Sequence, residues 1–180
     1  MKHQKSNPVF VIQKHHATRL HYDFRLQIGS VMPSWSIPKG PTLDNTMKRL
    51  AMMTTDHDLK YRNFEGVLPE GYGAGPVMIW DEGYYIPEIE VSKGVRKLIP
   101  DFEEGQQVMK DGLKKGELKF MVHGKRIKGS FALVKTKGFA GPNAWLLIKH
   151  KDEYVQEGYD AKNYDVSAVS GKSMEEIIKA

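Results

Sequence analysis

Strict alternation of polar and apolar side chains over residues 19–28 is the feature that most constrains how this chain folds. Every odd-numbered position in this run is polar or charged and every even-numbered position is apolar, which is the period of a β-strand. The even face therefore packs on a core, while the odd face gathers an imidazole, a carboxylate and two guanidinium groups. The core face contains Leu20, Tyr22, Phe24, Leu26 and Ile28, and the polar face contains Arg19, His21, Asp23, Arg25 and Gln27.

Short apolar or alternating runs recur between turn signals from residue 9 onward. Eight such runs in a chain of 180 residues predict a mainly β fold, a closed or nearly closed antiparallel β-barrel of about eight strands with a few short helices. The runs are 9–14, 19–28, 31–37, 47–54, 75–80, 117–123, 129–136 and 144–150.

The remaining segments predict three helical elements and a mobile start. We expect a helix over 101–115, one helical turn over 58–64, and a short final helix after the capping box formed by Ser173 and Glu176. Residues 1–8 are polar and basic without periodicity, so they are expected to form a flexible basic arm. Residues 9–180 are expected to form a single domain.

Composition excludes several classes of protein. The chain has no cysteine, which rules out thiolate metal sites, cysteine nucleophiles and disulfide bonds. It has no run of eighteen apolar residues and no signal-type segment, so we expect a cytoplasmic protein with no membrane partner. The net charge of +5 suits a polyanionic partner such as nucleic acid, but many ordinary proteins carry a similar charge.

Three candidate metal ligands are expected to meet on neighbouring strands. His15 lies six residues before His21, and Asp23 follows on the same strand face, so a short turn brings the three side chains together. Two imidazoles and a carboxylate suit Mn²⁺, Zn²⁺ or Fe²⁺ and leave coordination positions open for water and substrate. Solvated polar positions on an exposed barrel face are the alternative interpretation.

Basic residues close to these positions point to a phosphoryl group as the ligand of the same site. Arg25 shares the polar face, Lys39 lies in a Pro-Lys-Gly-Pro turn, and Arg49 precedes an apolar run. Phosphoryl charge spreads over several oxygens, which guanidinium and ammonium groups bind well. A solvated basic surface is the alternative, and it suits Lys48 better than Arg25 or Arg49.

A further histidine lies in the Thr-Asp-His-Asp segment that opens the predicted helical turn. Tyr61 follows His57 by four residues, so the two side chains project from one side of that turn. The flanking aspartates favour a cationic His57 that donates a proton to a leaving oxygen or stabilises phosphoryl charge, with the Tyr61 hydroxyl as a second donor. Alternatively, His57 caps the helix or pairs with its neighbours.

Several segments together resemble the phosphoesterase domain of bacterial DNA ligase D and its stand-alone archaeal and bacterial relatives. They are residues 11–26, 35–41, 48–51, 64–71 and 145–153, in that order along the chain. The resemblance implies a Mn²⁺-dependent phosphoesterase, with Co²⁺ or another divalent transition metal as the other cofactors to consider. Its implied activity removes a 3′-terminal ribonucleoside, then hydrolyses the 3′-phosphate to a 3′-hydroxyl for non-homologous end joining.

The resemblance also implies roles for individual residues. It makes His15, His21 and Asp23 the metal ligands, and Arg25 and His57 the contacts to the scissile phosphate. Lys39, Arg49 and Tyr61 match further functional positions. The implied partners are DNA or RNA-tailed DNA 3′ ends on a primer-template, together with ligase and polymerase proteins of end joining. Ligase D enzymes carry a longer charged arm before the first ligand. Removal of the ribonucleoside, the diesterase step, is therefore less firmly implied here than hydrolysis of the 3′-phosphate, the monoesterase step.

Two other functions stay open at the level of sequence. A nonhaem Fe(II) oxygenase on a β-barrel uses two histidines and one carboxylate, which His21, Asp23 and a distal histidine such as His57 imitate. The density of arginine and lysine around these residues counts against it. A noncatalytic nucleic-acid-binding barrel would bind in a salt-dependent way and form no metal-dependent product.

Overall fold

The computed structural model describes residues 6–69 and 74–180, over which ten β-strands, two α-helices and two short 3₁₀ helices follow one another. The strands are β1 (Val9–His16), β2 (Leu20–Leu26), β3 (Val31–Ile37), β4 (Arg49–Asp58), β5 (Gly66–Leu68), β6 (Gly75–Ser92), β7 (Val95–Leu98), β8 (Glu117–Gly124), β9 (Lys128–Lys135) and β10 (Ala144–Lys149). The helices are α1 (Phe102–Lys115) and α2 (Met174–Lys179), and the 3₁₀ helices are Leu59–Asn63 and Ala161–Asn163.

Eight of these strands close a ring. Their order is β1-β2-β3-β4-β10-β9-β8-β6, and β6 pairs back with β1. Every strand pairing is antiparallel, and β5 and β7 both join the ring through β6. The prediction of a mainly β, closed or nearly closed antiparallel barrel is confirmed, and each of the eight predicted runs overlaps one strand of the ring.

The inward-facing apolar side chains of the ring fill a single large core cluster. Tyr22, Phe24 and Leu26 of β2 are at most 1% exposed, which confirms the core face expected from the alternation. The three tryptophans are also buried in this cluster, at Trp35, Trp80 and Trp145. Burial of each large side chain stabilises the fold by about 2–3 kcal/mol, so this packing fixes which face of every strand points outward.

Strand β6 is the main departure from the sequence prediction, because the run expected at 75–80 continues to Ser92. Asp81 and Gly83 resemble turn residues in the sequence but support a continuous strand. The Asp81 carboxylate accepts four backbone N–H hydrogen bonds, at distances of 2.8–3.1 Å. At Gly83, an added Cβ would overlap the carbonyl oxygen of His123 on β8, so glycine permits the close approach of the two strands.

Both helices are capped, and the final helix has the cap that the sequence predicts. The Asp101 side chain accepts a hydrogen bond from the Glu104 N–H at the start of α1, and α1 ends at Gly116 in the left-handed conformation. The capping box of Ser173 and Glu176 forms at the start of α2. Among the described residues, no helix combines the length and the apolar character needed to cross a bilayer.

Residues 1–5 of the predicted basic arm lie outside the described residues. Ser6 and Asn7 are exposed, whereas Pro8 is buried and its carbonyl oxygen accepts a hydrogen bond from the N–H of Tyr85 at 2.9 Å. Pro8, the last residue of the predicted arm, therefore already contacts the barrel.

Candidate metal centre and phosphate site

The outward face of the β1–β2 hairpin brings the predicted metal ligands together. In the hairpin register, His15 lies opposite His21 and Gln13 lies opposite Asp23. Side chains directly opposite one another in an antiparallel pair share one face of the sheet. Since the apolar positions of β2 point into the barrel, His15, His21 and Asp23 converge on its outer surface, as the alternation predicts.

The geometry of this cluster is compact. One donor atom from each of His15, His21 and Asp23 lies within 4.8 Å of the other two. The Oδ2 atom of Asp23 lies 3.2 Å from Nε2 of His21 and 3.8 Å from Nδ1 of His15. His15 and Asp23 are buried and His21 is half-buried, so the cluster is accessible from the His21 side.

The cluster keeps its carboxylate ionised. Burial by itself raises the pKa of Asp23, but hydrogen bonds from His15 and His21 and the charge of Arg25 outweigh burial and hold that pKa well below its ordinary value. For His21, burial lowers the pKa, but the hydrogen bond to Asp23, the charge of that carboxylate and the hydrogen bond to the carbonyl oxygen of Arg19 together outweigh burial, so the pKa is raised. An ionised carboxylate between two imidazoles is a ready set of donors for a cation.

The residues present fit a divalent transition-metal ion. The Nε2 atom of His15 is buried and has no hydrogen-bond partner within the described segments, whereas most buried polar atoms have one. Two imidazole nitrogens and one carboxylate oxygen form the mixed donor set that such ions prefer, and three protein ligands leave positions for other ligands.

Arg25 fixes a positive charge directly beside the cluster. Its side chain is almost fully buried, and it donates from Nε to Oε1 of Gln13 at 2.7 Å and from Nη2 to Oδ2 of Asp23 at 3.3 Å. Nη1 lies 3.1 Å from Nδ1 of His57, and the guanidinium carbon lies 5.1 Å from the centre of the Tyr61 ring. Burial lowers the pKa of Arg25 and the charge of Asp23 opposes this, and an arginine remains cationic under either influence.

His57 reaches the site from the end of a strand rather than from a helix. The sequence places it at the opening of a helical turn, which is wrong, because β4 stays paired with β3 as far as Asp58. The register of this pair is irregular between Ser34 and Met32 of β3, and Met32 pairs with His57. The side chain of Asp58 then caps the 3₁₀ helix that carries Tyr61. The expected proximity is confirmed, since the His57 and Tyr61 rings lie 5.1 Å apart, but strand pairing causes it.

The surroundings of His57 favour its neutral form over the cation expected from the flanking aspartates. Burial and the charge of Arg25 lower the pKa of His57, so the ring is neutral near pH 7. Its Nδ1 lies close to both the Arg25 guanidinium and, at 3.0 Å, the carbonyl oxygen of Thr55. A guanidinium always donates, and a charged donor forms the stronger bond, so Nδ1 accepts from Arg25 and the proton lies on Nε2. Among the described residues, the donor atoms that meet belong to His15, His21 and Asp23 and not to His57. The oxygenase alternative would need His57 in that group.

Gln13 is a site residue that the sequence analysis missed. It is fully buried, and its Nε2 donates to the carbonyl oxygens of Tyr61 at 2.9 Å and Phe64 at 3.0 Å, while its Oε1 accepts from Arg25. It therefore joins the strand that carries His15 to the 3₁₀ helix that carries Tyr61. A signal was present, because Gln13 lies two residues before His15 and so shares its strand face.

Lys39 and Arg49 are not brought to the cluster. Arg49 begins β4 on the same strand face as Ala51, which points into the barrel, and its Nε donates to the carbonyl oxygen of Gly40 at 3.2 Å. Lys39 is exposed in the turn after β3. Within residues 6–69 and 74–180, no hydrogen bond or ion pair joins either side chain to His15, His21 or Asp23, so the roles implied for them remain predictions.

Comparison with known proteins places this arrangement in a family. The family model for the DNA ligase D 3′-phosphoesterase domain matches residues 13–135, which include the cluster, Arg25, His57 and Tyr61. The chain belongs to this family. The DNA ligase D 3′-phosphoesterase match begins at Gln13 and ends at Lys135, so it leaves out the loop that leads into β10.

The similar proteins are much longer than this chain, and their names describe them as non-homologous end joining proteins. The multifunctional non-homologous end joining protein LigD of Pseudomonas aeruginosa is 41% identical over 144 residues, which are 79% of this chain and 15% of that protein. The multifunctional non-homologous end joining DNA repair protein LigD of Mycobacterium tuberculosis is 39% identical over 155 residues, 86% of this chain and 17% of that protein. LigD of Mycolicibacterium smegmatis is 37% identical over 149 residues, 82% of this chain and 18% of that protein. The chain thus spans less than a fifth of these relatives.

Proposed function

We propose that this chain is a metal-dependent DNA 3′-end-healing phosphoesterase with Mn²⁺ as its cofactor. It removes 3′-terminal ribonucleosides as a phosphodiesterase and 3′-phosphates as a phosphomonoesterase, and it leaves 3′-hydroxyl ends for joining. Membership of the DNA ligase D 3′-phosphoesterase domain family supports a hydrolase that processes DNA ends in repair. The observation that carries the proposal is the buried Arg25 guanidinium lying against the cluster of His15, His21 and Asp23.

The metal ligands in this proposal are His15, His21 and Asp23. A divalent cation held there supplies Lewis-acid stabilisation of phosphoryl charge and a more acidic bound water. The protein contributes the ionised Asp23 carboxylate and two imidazoles whose positions are fixed by the hairpin register.

Arg25 binds the scissile phosphate. A guanidinium has five N–H donors, and the contacts to Gln13, Asp23 and His57 use three of them. As far as residues 6–69 and 74–180 show, two donors are left for nonbridging phosphate oxygens. Because Gln13 and Asp23 hold the guanidinium in place before substrate arrives, little reorganisation is needed when the phosphate binds.

His57 and Tyr61 supply neutral donors on the same side of the phosphate. With its proton on Nε2, His57 donates to a phosphate oxygen while its Nδ1 stays bonded to Arg25. Burial raises the pKa of Tyr61, and the positive charge of Arg25 only partly opposes this, so the Tyr61 hydroxyl keeps its proton and also donates. Both side chains therefore share the negative charge that develops during hydrolysis.

The proposal is tested with two primer-templates, one ending in a single ribonucleotide and one in a 3′-phosphate. Incubated with Mn²⁺, the protein is expected to convert the first to a 3′-phosphate and both to a 3′-hydroxyl. His21→Ala is expected to lose at least about 100-fold in the rate of both steps. The matched control is His123→Ala, a histidine on β8 that stacks on Tyr84 away from the cluster and should leave both rates unchanged. Full activity in His21→Ala would remove the metal assignment.

One rival shares the donor set, because two histidines and a carboxylate also hold Fe²⁺ in nonhaem oxygenases. The guanidinium beside Asp23 could bind either a phosphate or the carboxylate of an oxo-acid, so the match to the phosphoesterase family is what favours hydrolysis. Product analysis with Fe²⁺, oxygen and an oxo-acid, run beside the Mn²⁺ assay, separates them. Salt-sensitive DNA binding without any metal-dependent product would instead favour a noncatalytic nucleic-acid-binding barrel.

A further inference from the structure

The loop between β9 and β10, residues 136–143, lies along the strand that carries His57. Ala144 of β10 pairs with Met52 of β4, and the N–H of Met53 donates to the carbonyl oxygen of Asn143 at 2.8 Å. Because β10 is antiparallel to β4, the loop continues from this point in the direction of His57. Residues 54–56 of β4 are exposed, so the loop stands beside an open stretch of surface that leads into the site.

This loop displays the most exposed large apolar side chain in the described part of the chain. Phe139 is 70% exposed, whereas Phe10, Phe24, Phe120 and Phe131 are each at most 1% exposed. An exposed phenylalanine gains nothing from burial in the fold, so its ring is available to a ligand.

The shape of the loop holds that ring outward. Gly138 and Gly141 adopt φ values of 95° and 97°, and Ala140 between them has φ 59°, the one positive value for a non-glycine residue among residues 6–69 and 74–180. The left-handed conformation costs an alanine about 1–2 kcal/mol. The Thr136 hydroxyl donates to the carbonyl oxygen of Phe139 at 2.8 Å and so closes the loop on itself. Strain of this kind is retained where the exposed conformation serves binding.

The surroundings of Phe139 suit a polyanion. Lys137 on the loop and Lys135 at the end of β9 are both exposed, and each offers an ammonium group to phosphates. A single-stranded nucleic acid binds through this combination of a cationic surface for its backbone and aromatic rings for its bases. The loop combines both within a few residues.

We propose that Phe139 is a stacking platform for a base of the strand whose 3′ end lies at Arg25 and His57. The proposal rests on the proposed function, and it adds how the enzyme holds the strand behind the scissile phosphate. The path along β4 from Met53 to His57 is about 13 Å, at about 3.3 Å per residue. With stacked bases about 3.4 Å apart, the base on Phe139 lies within about four positions of the 3′ end.

The test compares Phe139→Ala with Phe139→Trp on an oligonucleotide 3′-phosphate and on a nucleoside 3′-monophosphate, both with Mn²⁺. Loss of one base stack raises KM for the oligonucleotide by roughly 5- to 150-fold. Phe139→Trp keeps an aromatic ring and therefore has the KM of the wild type for the oligonucleotide. Both variants hydrolyse the mononucleotide at the wild-type rate. Val169→Ala, at another exposed apolar position, is the matched control and leaves all values unchanged. An unchanged KM in Phe139→Ala, or an equal loss on the mononucleotide, overturns the proposal.

Binding measurements separate this proposal from the proposed function. A 2-aminopurine placed two to four positions from the 3′ end is expected to change its fluorescence on binding to the wild type and much less with Phe139→Ala. If the wild type forms no metal-dependent product, the hydrolase assignment fails, while Phe139-dependent binding still supports the platform. Identical fluorescence titrations for wild type and Phe139→Ala overturn the platform, whatever the activity.

Discussion

Replacing Arg25 by methionine tests whether the guanidinium at the site is a permanent part of the folded structure. Methionine has a similar length and no charge, so it fills the space without replacing the hydrogen bonds. The change removes the donors that lie 2.7 Å from Gln13 and 3.3 Å from Asp23, and it leaves both acceptors buried.

The expected cost follows from those contacts. Removing one partner of a buried ion pair costs about 3–5 kcal/mol, because the other charge stays buried. Asp23 keeps its contact with His21 at 3.2 Å and a longer one with His15 at 3.8 Å, so the loss lies at the lower end of that range. We expect the free energy of unfolding of Arg25→Met to be about 3 kcal/mol below that of the wild type.

Urea denaturation at pH 7.5 with a chelator present measures this difference without a metal ion to compensate for the lost charge. The matched control is Lys39→Met, which removes an exposed cation and should change the free energy of unfolding by no more than about 0.5 kcal/mol. A loss below about 1 kcal/mol in Arg25→Met would refute the view that Arg25 is held in place before substrate binds.

Three further changes test the barrel around the site. Asp81→Ala leaves four backbone N–H groups without their acceptor and should lower the free energy of unfolding by about 4 kcal/mol in urea denaturation. Gly83→Ala forces a Cβ against the His123 carbonyl oxygen and should cost about 3 kcal/mol by the same measurement. Burial and nearby cations lower the pKa of His150 to about 4, so the unfolded chain binds the extra proton and stability falls as pH drops from about 6.5 to 4. His150→Asn should flatten this fall by about 1–2 kcal/mol in a pH series, after discounting for the partial exposure of the ring.

The strands and the metal cluster follow from local patterns in the sequence. Each ring strand has its own apolar face, and β2 alternates without interruption, so its outward residues are known before any pairing is considered. His15 joins them because only a three-residue turn separates β1 from β2, which fixes the hairpin register. Local information is therefore enough for the histidine–aspartate cluster.

The rest of the site depends on contacts between distant segments. His57 arrives through the pairing of β3 with β4 and an irregularity in that register, which nothing in residues 55–58 indicates. Its neutral ring likewise results from burial in the folded chain and from the charge of Arg25, which lies on another strand. In β6, Asp81 and Gly83 look like turn residues until their partners on β8 and in the following turn are known.

Titration of the metal-free protein with Mn²⁺, followed by electron paramagnetic resonance, tests the central claim most directly. We predict one tightly bound Mn²⁺ per wild-type chain, and release of phosphate from a 3′-phosphate end should saturate at the same Mn²⁺ concentration. Asp23→Asn keeps the shape of the side chain but removes its charge, so it should lose both the bound ion and the activity. Unchanged Mn²⁺ binding in Asp23→Asn, or phosphate release that does not depend on added metal, would contradict the account.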